Sequence, residues 1–287
     1  MSETWQTLVD PRTLADALGR PDLRIIDARF AAASVDDPDQ GRRAWTQSHL
    51  PGAVYADLNA DLSDLSRSGL GRHPLPHAEE FAATLGRWGV TPQTQVVVYD
   101  AADGSMAAAR AWWLLRLMGH RAAAVLDGGI AAWRAAGLPE SSQPTAPAPA
   151  PAYPARWDET QIVSAEQVQA RLGEPAGWLV DVRAAERFAG RAEPIDPVAG
   201  HVPGAVNRPL GQSLREGRFL PAPELREDLL PHLRGRDPRE VVLMCGSGVT
   251  ACHTLLAMEH AGLAGARVYA GSWSGWIAEP ARPVATD

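Results

Sequence analysis

The sequence predicts an α/β fold in two consecutive domains, each a parallel sheet with helices on both faces. Three observations predict it. Short β-branched runs alternate with amphipathic stretches through both halves of the chain. The two halves carry matching landmarks in matching order. Between them lies LPESSQPTAPAPAPAYPARW, Leu138 to Trp157, where proline, alanine and small polar residues replace any periodic pattern. At 287 residues and 45% hydrophobic, the chain has material for two cores. The expected division is residues 1–140, a stiff extended linker at 141–157 with polyproline II character, and residues 158–287.

The elements follow in order. Asp10-Pro11 opens a helix over Leu14 and Leu18. IIDAR, Ile25 to Arg29, is a strand closed by Asp27, and SHLPGAVYADL, Ser48 to Leu58, is a Pro-Gly turn before a short strand. VVVYDAADGSMAAARAWW, Val96 to Trp113, reads as strand, loop and helix, and LDGGIAAW, Leu126 to Trp133, follows it. In the second half, Ser164 with Gln167 makes a capping box ahead of Val168 and Leu172. LVDVR (Leu179 to Arg183), GHVPGAVNRPL (Gly200 to Leu210), VVLMCGSGVTACHTLL (Val241 to Leu256) and YAGSWSGW (Tyr269 to Trp276) then answer the first-half landmarks. The pairs Asp27/Asp181, His49/His201, Asp100/Cys245 and Trp133/Trp276 are 154, 152, 145 and 143 residues apart, a drift explained by small loop deletions. Asp27 and Asp181 are read as braces of the turn after each strand, and His49 and His201 as structural hydrogen-bonders.

A net charge of -7 supplies no general basic field, which argues against nucleic acid and anionic membrane as partners. The start, MSETWQTLVDPR, lacks a basic segment followed by an apolar run, and nothing approaches the roughly 18 apolar residues of a spanning helix. A soluble cytoplasmic protein is expected. The cysteines, Cys245 and Cys252, are seven positions apart with no CxxC pair, which indicates neither a disulfide framework nor a cysteine zinc site. No metal or cofactor is expected, and both thiols are expected reduced.

Cys245 is the residue that asks for chemistry. It stands directly after a buried strand, with Gly246 and Gly248 allowing the backbone to curl around its sulfur, and a helix opening near Thr250 points free N–H groups inward. A thiol of ordinary pKa about 8.5 needs a shift of roughly two units, about 2.7 kcal/mol, to be mostly ionised at neutral pH. A helix terminus supplies roughly 0.3 to 2 kcal/mol. The rest is expected from the amides of Gly246 to Thr250, Val249 included, and from the hydroxyls of Ser247 and Thr250. The equivalent first-half loop holds Asp100 and cannot take up a sulfur atom. Cys252, with apolar neighbours Leu255 and Leu256, is read as a packing residue.

Two halves with HxPGA segments, a tryptophan-containing glycine motif after the last strand and a cysteine loop in the second half alone resemble the tandem rhodanese-type sulfurtransferases. CGSGVTA, Cys245 to Ala251, is similar to the loop of the 3-mercaptopyruvate branch. The resemblance implies two rhodanese-like domains, the first inactive, and transfer of a sulfane sulfur from thiosulfate or 3-mercaptopyruvate through a Cys245 persulfide. The implied acceptors are cyanide, thiols or a thioredoxin-like protein. It further implies that Ser247 and His73, in RHPLP, belong to a serine, histidine and acid relay. At the acidic position stands Asn59, between Asp57 and Asp61. For donor binding it implies Arg187, whose forked guanidinium suits a carboxylate or sulfonate-like group. Asp196 stands where a second arginine is typical, so the donor stays open, with Arg183 and Arg191 as nearby substitutes. For these two the residues themselves favour a strand-end brace and a solvated charge.

Other classes fit less well. A cysteine-dependent phosphatase needs an arginine six residues after its cysteine, and position 251 is alanine. A non-catalytic rhodanese-like binding module has no need of Cys245. A thiol peroxidase or disulfide reductase needs a resolving cysteine, and Cys252 lies further along the same helix.

Overall fold

The computed structural model describes residues 4–30, 37, 39–147, 149–151 and 153–287. The chain forms two compact units. One comprises the residues up to Asp64 together with Pro76–Asp158, and the other Leu65–Leu75 together with Glu159–Asp287.

In the first unit, β1 (Leu8–Val9), β2 (Leu23–Asp27), β3 (Val54–Tyr55), β4 (Gln95–Tyr99) and β5 (Ala123–Leu126) make a parallel sheet in the order β1-β5-β4-β2-β3. Every residue of β4 is buried, as expected for a central strand with both faces covered. The helices are α1 (Pro11–Asp16), α2 (Gln40–Gln47), α3 (Ala78–Arg87), α4 (Ala108–Leu117) and α5 (Gly129–Ala135). All of α4 is buried, Arg110 and Arg116 included, which is why its apolar residues are not confined to one stripe. Leu14, Ile25, Val97, Leu126 and Trp133 share one core cluster.

The second unit repeats the plan. β6 (Ile162–Val163), β7 (Leu179–Asp181), β8 (Val206–Asn207), β11 (Val242–Met244) and β12 (Arg267–Tyr269) pair in parallel in the order β6-β12-β11-β7-β8. A small antiparallel hairpin, β9 (Leu214–Arg215) and β10 (Arg218–Phe219), is inserted after β8. The helices are α6 (Ala165–Gln169), α7 (Ala185–Phe188), α8 (Ala222–Leu233), α9 (Ala251–His260) and α10 (Ser272–Trp276). Val168, Trp178, Met244, Trp273 and Trp276 pack in its core.

The duplicated landmarks do the same work in each unit. Asp27 takes Arg29 through Nε and Nη2 and accepts from the Tyr99 hydroxyl at 2.6 Å. Asp181 takes Arg183 in the same way. The backbone of His49 pairs antiparallel with Ser141, and that of His201 with Ala285, so each HxPGA histidine fastens the segment that follows the last helix of its unit. Their rings bond to the backbone carbonyls of Trp45 and Phe188.

Three expectations need correction. The stiff extended linker expected at 141–157 does not stand apart from the first unit: the buried Tyr153 bonds His120 at 2.9 Å, Trp157 stacks on Phe81, and the Ala150 amide bonds the Gly86 carbonyl, all within that unit. The buried Tyr153 ring and the half-buried Trp157 ring hold this segment on the unit, which extended chain around the prolines permits. The boundary is not a single cut either, because Leu65–Leu75 belongs to the second unit. Finally, α1 and α6 end at Asp16 and Gln169, short of Leu18 and Leu172, which still pack against the cores from the following turns.

Candidate active site

Strand β11 delivers Cys245 into a five-residue turn, Gly246 to Thr250, with Thr250 as the N-cap of α9. Gly248 makes the turn possible: it sits at φ +77°, and a Cβ there would lie 2.1 Å from the Ala270 carbonyl oxygen. That curvature brings the Gly248 amide onto Cys245 Sγ at 3.2 Å. The start of α10 clamps the same loop, with the Trp273 and Ser274 amides donating to the carbonyls of Cys245 and Gly246 at 3.0 and 2.9 Å. Cys245 is 1% exposed.

Ser272 is the residue that sequence reasoning missed. It holds φ +50°, unusual for a side chain other than glycine, and is fully buried. Its hydroxyl accepts the Cys245 amide at 3.0 Å, reaches the Tyr269 carbonyl at 3.0 Å and lies 3.9 Å from Cys245 Sγ. The donor set at the sulfur is therefore narrower than expected: among the described residues it is the Gly248 amide, with the Ser272 hydroxyl in reach only when its single proton turns from the nearer Tyr269 carbonyl. Ser247 turns instead to His73, whose Nδ1 lies 2.8 Å from its hydroxyl, and Thr250 makes no side-chain cap bond. Val249 is buried. Cys252 is buried and its thiol bonds the Gly248 carbonyl at 3.4 Å, a packing position.

Two guanidiniums border the loop. A Cβ on Gly246 would lie 2.9 Å from Arg72 Nη2 and 3.6 Å from Arg187 Nη1 and Nη2. Arg187 is held by Glu193 through Nε and Nη2 and by Asp196 at 3.1 Å, while Arg72 pairs with the other oxygen of Asp196. Burial raises the Asp196 carboxyl, with Glu193 adding to the effect and Arg72 and Arg187 opposing it. Burial also works to raise Glu193, but its bonds from Arg187 and from the Asp196 and Ile195 amides hold it below the ordinary range. Arg72 is the second residue missed. Its sole signal is adjacency to His73, since Leu65–Leu75 reaches this unit by a long-range fold-back. Arg183 is corrected: its side chain is 1% exposed and spent on Asp181, Glu193 and the Gly200 carbonyl, so it braces the strand end. Arg191 is exposed.

In the first unit, Asp57 caps the turn at Asn59 and Ala60, and Asp61 bonds the Asp57 amide and Arg87. The loop after β4 encloses Asp100, whose carboxylate accepts the amides of Ala102, Gly104 and Met106 at 3.2, 2.9 and 3.3 Å. Burial pushes this carboxyl up to about 6, against the pull of those amides. Gly129, at φ +56°, stands where the second unit has Ser272.

Among the described residues no cluster of His, Cys, Asp and Glu is arranged to hold a metal ion, and no helix is long and apolar enough to cross a membrane. A cysteine on an amide-lined turn between strand and helix, in one of two copies of a five-stranded parallel sheet, defines a class of α/β proteins. The rhodanese-like domain model matches residues 10–136 and 164–279, and the chain belongs to that family. It is 47% identical over 282 residues to a Pseudomonas aeruginosa protein described as a "probable 3-mercaptopyruvate sulfurtransferase", covering 97% of this chain and 98% of that one. The 3-mercaptopyruvate sulfurtransferase of Homo sapiens is 37% identical over 285 residues, covering 97% and 94%. Among solved structures, the Escherichia coli 3-mercaptopyruvate sulfotransferase described by its rhodanese fold superposes with a TM-score of 0.81 at 30% identity, covering 94% of this chain and all of that one.

Proposed function

We propose that the chain is a sulfurtransferase that moves a sulfane sulfur from 3-mercaptopyruvate or thiosulfate to a thiophilic acceptor through a Cys245 persulfide. The observation that carries the reading is the Gly248 amide on Cys245 Sγ, with two guanidiniums beside the next residue. The names of the relatives support the reaction class.

The Cys245 thiolate attacks the outer sulfur of the donor. With thiosulfate the S–S bond breaks, its electron pair leaves on sulfite, and the cysteine becomes a persulfide anion. With 3-mercaptopyruvate the C–S bond breaks, its pair passes into the enolate of pyruvate, and the proton of the donor thiol balances the carbon that becomes the methyl group. Cyanide, a thiol or a thioredoxin-like protein then takes the outer sulfur and returns Cys245 as thiolate. The Gly248 amide stabilises either sulfur anion, and the Ser272 hydroxyl adds to it by turning its proton from the Tyr269 carbonyl. Arg187 and Arg72 are the groups for the donor's carboxylate or sulfonate, and the Ser247–His73 pair is placed to polarise the keto oxygen of 3-mercaptopyruvate. The reading includes a cytoplasmic location, in keeping with two free thiols, and neither nucleic acid nor membrane as partner, in keeping with the net charge of -7.

Cys245→Ser tests this. Transfer to cyanide from both donors is expected to fall by at least about a thousandfold with the thermal transition intact. Donor-treated wild type should carry the mass of one extra sulfur on the Cys245 peptide, lost on adding cyanide. Turnover retained by the serine variant ends the assignment.

A further inference from the structure

Asp196 stands out because a carboxylate beside an anion-binding site ought to repel the ligand. It is buried, and both of its oxygens are occupied, Oδ1 by Arg72 Nη1 and Oδ2 by Arg187 Nη2. The two arginines come from unrelated places, Arg72 from the irregular segment Leu65–Leu75 and Arg187 from α7. Among the described residues, Asp196 is the one carboxylate bonded to Arg72, whose side chain is a third exposed. Arg187 has a second anchor in Glu193, which takes Nε and Nη2.

A guanidinium is a rigid planar fork, so pinning one edge sets the direction of the other. Asp196 takes Nη1 of Arg72, and Nη2 is the atom closest to Gly246. Glu193 and Asp196 take Nε and Nη2 of Arg187, and Nη1 is again close to Gly246. We infer that Asp196 is a positioning residue for the sulfur donor: its carboxylate ties Arg72 to Arg187 and presents the outer edges of both guanidiniums beside Cys245. This rests on the sulfur-transfer reading above. The opposite role, in which the carboxylate merely cancels positive charge, predicts the opposite sign on its removal.

The test is Asp196→Asn, with Asp196→Glu as the variant that keeps both ion pairs, in the full-length enzyme with cyanide as acceptor. For each of the two donors, thiosulfate and 3-mercaptopyruvate, the asparagine variant is expected to show a KM raised about tenfold while kcat stays within about twofold. Glutamate should recover most of that loss. A second readout needs no turnover: alkylation of Cys245 by anionic iodoacetate should slow severalfold in Asp196→Asn, with neutral iodoacetamide unaffected. An unchanged or lower donor KM in Asp196→Asn, a glutamate variant as poor as asparagine, or an unchanged alkylation ratio overturns the role. If asparagine abolishes the native thermal transition, Asp196→Ser is put to the same criteria. Failure of the sulfur-transfer reading shows separately, as turnover surviving Cys245→Ser.

Discussion

The turn after β4 and the turn after β11 occupy the same place in two copies of one sheet, and they differ in what they enclose. In the first, the Asp100 carboxylate fills the turn and accepts its amides from inside. In the second, Cys245 brings a sulfur with the Gly248 amide upon it and leaves the opening to the guanidiniums of Arg72 and Arg187. The backbone support is alike: the Ile130 amide holds the Asp100 carbonyl as the Trp273 amide holds that of Cys245. A cradle that binds an anion needs donors, and a built-in anion uses them up. The first turn is thus a scaffold by the same physics that makes the second a site.

Removing the built-in anion should have the largest effect among the changes that probe this contrast. Asp100→Ala leaves three loop amides without their acceptor and is expected to cost the first unit about 2–3 kcal/mol in urea unfolding, with turnover per folded molecule unchanged. The same carboxyl gives a pH signature. It titrates near 6 when folded against an ordinary 3.8, so between those values the folded state binds the extra proton. The part of the Asp100 contribution that depends on this proton is therefore present below about pH 4 and is lost as pH rises through about 6, while its bonds from the loop amides remain above that range. Measured against Asp100→Asn, which cannot titrate, wild type should lose about 2 kcal/mol across that window. No difference in slope would mean that Asp100 is not held as described.

The charged surround of the second turn comes next. Arg187→Ala should lower kcat/KM about thirtyfold, ~2 kcal/mol, chiefly through donor KM, whereas the exposed Arg191→Ala should stay within about twofold. Equal effects would shift the donor site away from Gly246. The smallest expected effect is at Ser272, where the first unit has glycine. In Ser272→Gly, relief of a left-handed side chain offsets loss of a hydroxyl bond, each about 1 kcal/mol, so stability should hold. A fall of about tenfold in kcat/KM would then isolate what the hydroxyl does for the sulfur. Unaltered kinetics would leave Gly248 as its sole donor.

Most of the architecture was legible, because repeated landmarks constrain it twice: Asp27 and Asp181 both brace an arginine, and His49 and His201 both fasten the segment after their unit's last helix. Cys245 was legible from its position between strand and helix. Ser272 was not, since a serine in GSWSGW reads as an ordinary turn residue until the second-unit backbone sets it at positive φ beside Cys245. Arg72 escaped for another reason: its partner Asp196 is 124 positions away, and local patterns carry no trace of such a pairing. Tyr153 and Trp157 were hidden by the prolines around them, whose preference for extended chain says nothing of what a neighbouring aromatic ring covers.

The duplicated gene and the folded modules do not share the same edges. A fragment beginning at Glu159 would inherit the nucleophile but forfeit Arg72 and His73, which travel with Leu65–Leu75. Anyone exchanging halves between relatives to build chimaeras must therefore transplant that eleven-residue peptide along with the later half, or the hybrid will carry a sulfur atom with half its retinue gone.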